Sequence, residues 1–91
     1  MGNYLIIIER GENNCSAYCP DVPGCVATDG TIEETVERMK GALQSHIDWM
    51  VEDGDPIPEP QGLKGLEELD RDAGDLATFI NVNVPQQAQA A

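Results

Sequence analysis

The stretch Thr31–Asp53 constrains the fold of this chain most strongly, because its apolar residues recur with the period of an α-helix. At about 100° per residue, the apolar side chains form one narrow stripe and the acidic and polar side chains lie opposite. Thr31 followed by Glu34 predicts a capping box that satisfies two amides of the first helical turn. Gly54 and Pro56 predict the end of the helix. The stripe comprises Ile32, Val36, Met39, Leu43, Ile47 and Met50.

The composition indicates one small, acidic domain. The chain has 91 residues, with 17 acidic against 5 basic side chains and a formal net charge of -12. This charge disfavours a phosphate backbone and favours a basic partner, although solubility alone explains it equally well. No apolar run approaches the roughly 20 residues of a membrane span, and the N-terminus lacks the pattern of a signal peptide. We therefore expect a cytoplasmic protein.

Four segments outside the helix have strand patterns. The first of them is apolar on both alternating faces, as in a central strand that is covered on each side. Pro23 and Gly24 suit the central positions of a type II turn between the second and third strands. Gly62–Asp72 is a weak helical segment that precedes the last strand. The predicted strands are Tyr4–Ile8, Cys15–Cys19, Cys25–Thr28 and Thr78–Val84.

The order β-β-β-α-β predicts an α/β (α+β) fold with one main helix on one face of the sheet. A right-handed crossover through the helix would place the last strand beside the first and parallel to it. The other sheet face would then be left uncovered, and the simplest way to cover it is a second subunit. We therefore expect a homo-oligomer, a dimer or higher, whose candidate interface residues are Tyr4, Ile6, Ile8 and Tyr18.

Three ordered motifs resemble the HicB-like antitoxin family. They are YCPDVPGC at Tyr18–Cys25, TDGTIEE at Thr28–Glu34 and EDGDPIPEP at Glu52–Pro60. The resemblance covers roughly Tyr4–Pro60, and Thr78–Val84 fits the final strand of the family. It implies a partial ribonuclease-H-like β-β-β-α-β domain, here residues 1–84. Residues 85–91 are rich in Gln and Ala, which predicts a disordered tail.

The resemblance also implies a function, because members of this family typically bind and block small basic toxins that cleave messenger RNA. We expect an antitoxin-type protein that occludes the active site of such a HicA-like toxin, with no catalytic activity and no cofactor. Many members carry a C-terminal DNA-binding domain, but no such pattern follows Val84, so we expect no direct nucleic acid binding. The alternative is a stand-alone oligomeric binding or scaffold protein of the same fold without a toxin.

The candidate toxin contacts lie around the helix end and the Pro-Gly turn. Acidic side chains there would steer a cationic partner, and an aromatic side chain would anchor it. Trp49 lies roughly 100° from the centre of the apolar stripe, and its alternative role is packing against the proline-rich connector. The acidic back of the helix, which is the face opposite the apolar stripe, is an alternative surface for binding a basic partner. The candidates are Asp21, Trp49, Glu52, Asp53, Asp55 and Glu59.

Neither a nuclease site nor a metal site is expected. A ribonuclease-H-like nuclease needs several carboxylates around two metal ions, and the first predicted strand contains no acidic residue. The residues considered as metal ligands are Cys15, Cys19, Cys25 and His46. Strand geometry separates Cys15 and Cys19 by about 13 Å, so buried, inert thiols are expected instead. A small enzyme is therefore the third hypothesis, which a bound metal would favour.

Overall fold

The structure, a computed structural model, describes residues 2–85, so nearly all of the predicted tail at 85–91 lies outside the described residues. The predicted fold class is confirmed: a four-stranded sheet carries one main helix on one face. All four predicted strands are present, with small shifts at their ends. The elements are β1 (Gly2–Arg10), β2 (Cys15–Tyr18), β3 (Val26–Asp29), α1 (Ile32–Asp53), a 3₁₀ helix (Gly62–Glu68) and β4 (Leu76–Val82).

The ends of α1 follow from its local sequence. The Thr31 hydroxyl accepts a hydrogen bond of 3.1 Å from the Glu34 amide, as the capping box predicts. The Glu34 carboxylate accepts a hydrogen bond of 3.0 Å from the Thr31 hydroxyl, whereas the capping box predicts that it accepts one from a backbone amide. Gly54 has φ of 73° and closes the helix in the left-handed conformation, as predicted. Gly24 has φ of 86°, and the Cys25 amide donates to the Val22 carbonyl at 3.3 Å, which confirms the predicted turn.

The sheet has the order β3-β2-β1-β4, and every pair of neighbouring strands is antiparallel. The predicted meander of the first three strands is confirmed, and β4 lies beside β1 as predicted. The prediction that β4 runs parallel to β1 is wrong, because Gly2 pairs with Val82 and Ile8 pairs with Leu76.

The 3₁₀ helix explains the reversed direction of β4. It crosses the sheet face opposite α1, where a Cβ atom at Gly65 would lie 2.9 Å from Leu5 Cδ2 and 3.0 Å from Pro20 Cγ. The chain then reaches the far end of β1, where a Cβ atom at Gly74 would lie 2.9 Å from the Arg10 guanidinium. This additional crossing returns the chain before the last strand begins, so β4 runs antiparallel to β1.

The main core lies between α1 and one face of the sheet. Met39, Leu43 and Ile47 are fully buried on α1, in agreement with the predicted stripe. The structure over residues 2–85 contains no helical stretch with the length and hydropathy of a membrane span. The sheet side of this core includes Tyr4, Ile6, Ile8, Cys15, Ala17, Ala27, Ile80 and Val82.

The opposite face of β1 is covered by the same chain, so the prediction that it needs a second subunit is wrong. Leu5 and Ile7 point to this face and are only 2% and 0% exposed. Three of the four predicted interface residues, Tyr4, Ile6 and Ile8, belong instead to the buried core beneath α1. A second subunit has no access to them in this fold. Tyr18 pairs with Ile7 and stays half-buried on the opposite face.

Candidate partner-binding site

The residues predicted to contact a partner lie at one end of the molecule. We call it the connector end, and it consists of the last turns of α1, the connector at residues 54–61 and the turn at residues 19–25. The turn projects from the ends of β2 and β3 at which Tyr18 pairs with Val26. Two long-range hydrogen bonds, described next, attach the connector to the sheet and to this turn.

Tyr4 fixes the connector to the first strand. Its hydroxyl donates a hydrogen bond of 2.6 Å to the Pro58 carbonyl, and Ile57 beside it is buried. Burial raises the pKa of Tyr4, and the carboxylates of Asp21 and Glu59, joined at alkaline pH by the Cys19 thiolate, raise it further. The phenol therefore remains a neutral hydrogen-bond donor near neutral pH. The connector leaves α1 on a defined path, which sets the positions of Asp55 and Glu59.

Asp21 joins the turn to the connector. Its carboxylate Oδ2 accepts a hydrogen bond of 2.9 Å from the Gln61 amide. The side chain is half-buried and lines a shallow pocket beside the 3₁₀ helix, together with Lys64 and Glu68. The structure thus brings Asp21 to the connector although forty positions separate it from Gln61 in the chain.

The C-terminus of α1 carries an unfavourable concentration of negative charge. The Gly54 amide donates to the Val51 carbonyl at 3.1 Å, and the Asp55 amide donates to the Met50 carbonyl at 2.9 Å. Glu52 and Asp53 are exposed beside these carbonyls, and the last turn contains no basic residue. Because the helix dipole is negative at this end, a nearby cation would be stabilised there.

Trp49 is exposed on α1 next to these acids. Its side chain is 70% exposed, so the predicted alternative, packing against the proline-rich connector, does not bury it. Glu52 and Asp53 lie three and four positions further along the helix, so all three side chains are neighbours on one surface of α1. An exposed indole flanked by carboxylates provides both apolar contact area and negative charge.

The acids of the connector end have no cationic partner within residues 2–85. The one ion pair in this part of the chain joins Arg38 Nε to Asp29 Oδ2 at 2.9 Å, near the N-terminus of α1. There the Gly30 amide, followed by the Arg38 side chain, lowers the pKa of Asp29. Arg10 also lies at that far end, at the end of β1. Lys64 lines a shallow pocket with Asp21 and Gln61 without forming an ion pair, so the carboxylates at the end of α1, rather than Asp21, carry the uncompensated negative charge.

The three cysteines lie under the surface as free thiols. Burial raises the pKa of Cys19 to about 11 and also raises the pKa of Cys25. Both groups are therefore protonated at neutral pH, which makes them poor nucleophiles and poor metal ligands. Within residues 2–85, no three His, Cys, Asp or Glu side chains are arranged to hold a metal ion.

Two exposed apolar residues at the edges of the sheet were not among the residues predicted from the sequence. Phe79 on β4 is 40% exposed and Val26 on β3 is 65% exposed, and both point to the sheet face opposite α1. Side chains alternate between the two faces along β4, so Phe79 lies on the other face from the buried Ile80 and Val82. This alternation in the sequence could have identified the face on which Phe79 lies. Its exposure depends on β4 being an edge strand, which the sequence does not reveal.

Comparison with known proteins places this fold among bacterial antitoxins. The chain is 23% identical to a chain of the HicA3 and HicB3 toxin-antitoxin complex, with a TM-score of 0.71 over 89% of this chain and 98% of that one. It is 18% identical to the N-terminal domain of the Burkholderia pseudomallei antitoxin HicB, with a TM-score of 0.74 over 90% of this chain and 99% of that one. It is 19% identical to a longer chain of the same antitoxin, with a TM-score of 0.79 over 94% of this chain and 65% of that one. These likenesses establish the fold.

Sequence comparison supplies the family. An uncharacterised 14.9 kDa protein from the rep-hol intergenic region of Haemophilus phage HP1 (strain HP1c1) is 36% identical over 61 residues. The match covers 67% of this chain and 46% of that protein, so this chain spans less than half the length of its curated relative. The profile of a family described as HicB_like antitoxin of bacterial toxin-antitoxin system matches residues 4–91. Since that match spans nearly the entire sequence, the protein belongs to the HicB-like antitoxin family.

Proposed function

We propose that this protein binds a small basic toxin that cleaves messenger RNA and inhibits it by covering its active site. The observation that carries the proposal is the connector end, where carboxylates without a cationic partner among residues 2–85 lie close to an exposed tryptophan. Membership of the antitoxin family supports the role, and one structural relative is a chain of the HicA3 and HicB3 toxin-antitoxin complex. The proposed contacts are Asp21, Trp49, Glu52, Asp53, Asp55 and Glu59.

The charge of the connector end favours the catalytic surface of such a toxin over its other surfaces. A protein that cleaves RNA must attract a phosphate backbone, so the surface around its active site is rich in Lys and Arg. Carboxylates compete with phosphates for the same cations. The acids at the end of α1 would therefore direct the antitoxin to the surface that the RNA substrate needs, and occlusion requires no chemistry from the antitoxin.

Steering and lasting affinity have different sources at this site. Exposed carboxylates accelerate the encounter with a cationic partner but are screened by salt, and they contribute little once solvated. Trp49 offers a large, rigid apolar surface that loses water on binding, which is the property of a binding hot spot. We infer that the acids govern association and that Trp49 governs the lifetime of the complex.

The same charge opposes direct binding to DNA or RNA, because the acidic surplus of the chain repels phosphates. We infer that the protein acts in the cytoplasm, where the messenger RNA of a bacterial host is translated. Reducing conditions there suit three free cysteines.

Co-expression tests the proposal. The small basic protein encoded by the reading frame beside this gene is expressed alone and together with this chain. We expect growth arrest by that protein alone, relief by the antitoxin and copurification of the two chains. Growth arrest that this chain fails to relieve, without a complex, would instead favour a stand-alone binding or scaffold protein.

A further inference from the structure

Two of the three free cysteines stand opposite each other at the two ends of the turn at residues 19–25. Ala17 on β2 pairs with Ala27 on β3, and both are buried in the core beneath α1. Cys19 and Cys25 lie two positions further along these strands, so the same register sets them opposite each other. Side chains alternate between the faces of a sheet, and both cysteines accordingly lie in the same core, at 2% and 4% exposure.

The backbone of the turn leaves the two cysteines without hydrogen bonds to each other. The Cys19 carbonyl accepts a hydrogen bond of 3.1 Å from the Val22 amide, and the Cys25 amide donates one of 3.3 Å to the Val22 carbonyl. Opposed antiparallel residues of this kind have Cα atoms about 4.5 Å apart and closely spaced side chains. A disulfide needs Cα atoms about 4.4–6.8 Å apart. The backbone therefore suits a disulfide between Cys19 and Cys25.

The closed turn protects both thiols. Burial raises the pKa of Cys19 to about 11, although hydrogen bonds from the Asp21 and Val22 amides to its sulfur act in the opposite direction. A charge on Cys25 raises the pKa of Cys19 further, as expected of neighbouring sulfur atoms. Gly24, next to Cys25, is exposed. A reagent would therefore reach Cys25 first, when local fluctuations open the turn.

We propose that Cys19 and Cys25 form a modification site, a dithiol that a small-molecule disulfide such as oxidised glutathione converts into a disulfide across the turn. The Cys25 thiolate attacks one sulfur atom of the small disulfide and releases one small thiolate. The Cys19 thiolate then attacks the Cys25 sulfur of the mixed disulfide and releases the second. The two cysteine protons pass to the released thiolates, so the pair loses two electrons and the small disulfide gains them.

Cys15 lies outside this site although it is also a buried free thiol. It precedes Cys19 by four positions on the same face of β2, a separation of about 13 Å along the strand. Its partner across the sheet is Asp29. Cys15 is therefore the internal reference, since it should remain a thiol when the other two cysteines are oxidised.

The disulfide would fix the turn that is attached to the connector. Asp21 lies inside the loop that the new bond closes, and its carboxylate accepts the hydrogen bond of the Gln61 amide. Closing the loop removes open conformations of the turn. The oxidised protein should therefore hold the contact between Asp21 and Gln61 more persistently. This effect belongs to the chain alone and does not depend on toxin binding.

Thiol mapping of the natural sequence tests the site without any variant. The reduced full chain is incubated with oxidised glutathione, quenched with acid, alkylated, cleaved at Asp21 and analysed by mass spectrometry. We expect a disulfide between Cys19 and Cys25 and one alkylated thiol, at Cys15. A disulfide that includes Cys15, glutathione adducts alone, or three alkylated thiols would overturn the assignment. The same treatment of the unfolded chain in urea is the control for the activity of the oxidant.

Variants and hydrogen exchange test whether the bond constrains the turn. Cys15→Ala is the matched control and should still form the disulfide, whereas Cys25→Ala should not. In the natural sequence, oxidation should slow exchange of the Val22 and Gln61 amides about tenfold or more. The same treatment of Cys25→Ala should leave these amides unchanged. Equal exchange in the oxidised and reduced forms of the natural sequence would contradict the proposed fixing of the turn.

Discussion

The Tyr4 hydroxyl lies 2.6 Å from the Pro58 carbonyl, so the first strand of the sheet fixes the connector that follows the main helix. This hydrogen bond links positions from opposite halves of the chain, and it supports the surface where the acids lie. Tyr4 thus serves the core through its ring and the candidate site through its hydroxyl.

Replacing Tyr4 by Phe should lower the free energy of unfolding by about 1 kcal/mol, because it removes one hydrogen bond and leaves the ring in place. Urea denaturation measures this change. Hydrogen exchange should also accelerate locally at residues 55–61, and exchange at the centre of α1 serves as the internal control. Unchanged exchange in the connector would show that Tyr4 does not hold it.

The stability of the protein should fall between pH 9 and about 11. The pKa of Cys19 is raised from 9.0 to about 11 in the folded state, so its protonated form contributes stability that is present below pH 9 and lost as pH rises. Tyr4, whose pKa is also raised above its ordinary value of 10.0, extends the loss to higher pH. Thermal unfolding across this range should show a shallower decline for Cys19→Ala than for the natural sequence. Equal slopes would contradict the assignment to Cys19.

Two glycine substitutions should change stability in opposite directions. Gly65→Ala would place a Cβ atom 2.9 Å from Leu5 Cδ2 and 3.0 Å from Pro20 Cγ, so it should destabilise the fold by about 1–3 kcal/mol. Gly41→Ala lies in an exposed part of α1 with no atom within 4 Å of the added group, and it should stabilise by about 0.5–1 kcal/mol. Chemical denaturation compares them. A neutral Gly65→Ala would show that the 3₁₀ helix is not tightly packed on the sheet.

Neutralising the acids of the connector end should slow toxin association by on the order of tenfold at low salt and should weaken its salt dependence. The variant combines Glu52→Gln, Asp53→Asn, Asp55→Asn and Glu59→Gln. Its matched control removes the same charge elsewhere, through Glu9→Gln, Glu12→Gln, Glu33→Gln and Glu37→Gln. Stopped-flow kinetics with the neighbouring small basic protein distinguishes them. Equal slowing in both variants would mean that net charge or the acidic back of α1, rather than the connector end alone, steers the partner.

Trp49→Ala should mainly accelerate dissociation of the same complex, by an order of magnitude or more, which corresponds to roughly 2 kcal/mol for a buried hot-spot residue. Surface plasmon resonance measures the rate. Leu63→Ala is the control, because Leu63 is also a large exposed apolar residue but lies on the 3₁₀ helix. If only the Leu63 variant dissociated faster, the contact surface would lie on the other side of the sheet.

The sequence by itself determined the elements whose conformation depends on near neighbours. The period of the apolar residues defines α1, and Thr31 and Gly54 define its ends, because capping and left-handed backbone are decided within one turn. Pro23 and Gly24 likewise specify their turn through their own φ preferences. The proximity of Glu52 and Asp53 to Trp49 is also readable, since helical spacing alone makes them neighbours.

Only the tertiary structure decided the direction of β4 and the covering of β1. Both depend on the segment Gly62–Glu68, whose weak pattern does not show that it crosses the second sheet face. That crossing requires Gly65 to approach Leu5 and Pro20, residues that are distant in the chain. The joining of Asp21 to Gln61 is decided in the same way. Local preferences act over a few residues, whereas these contacts exist only after the whole chain has packed.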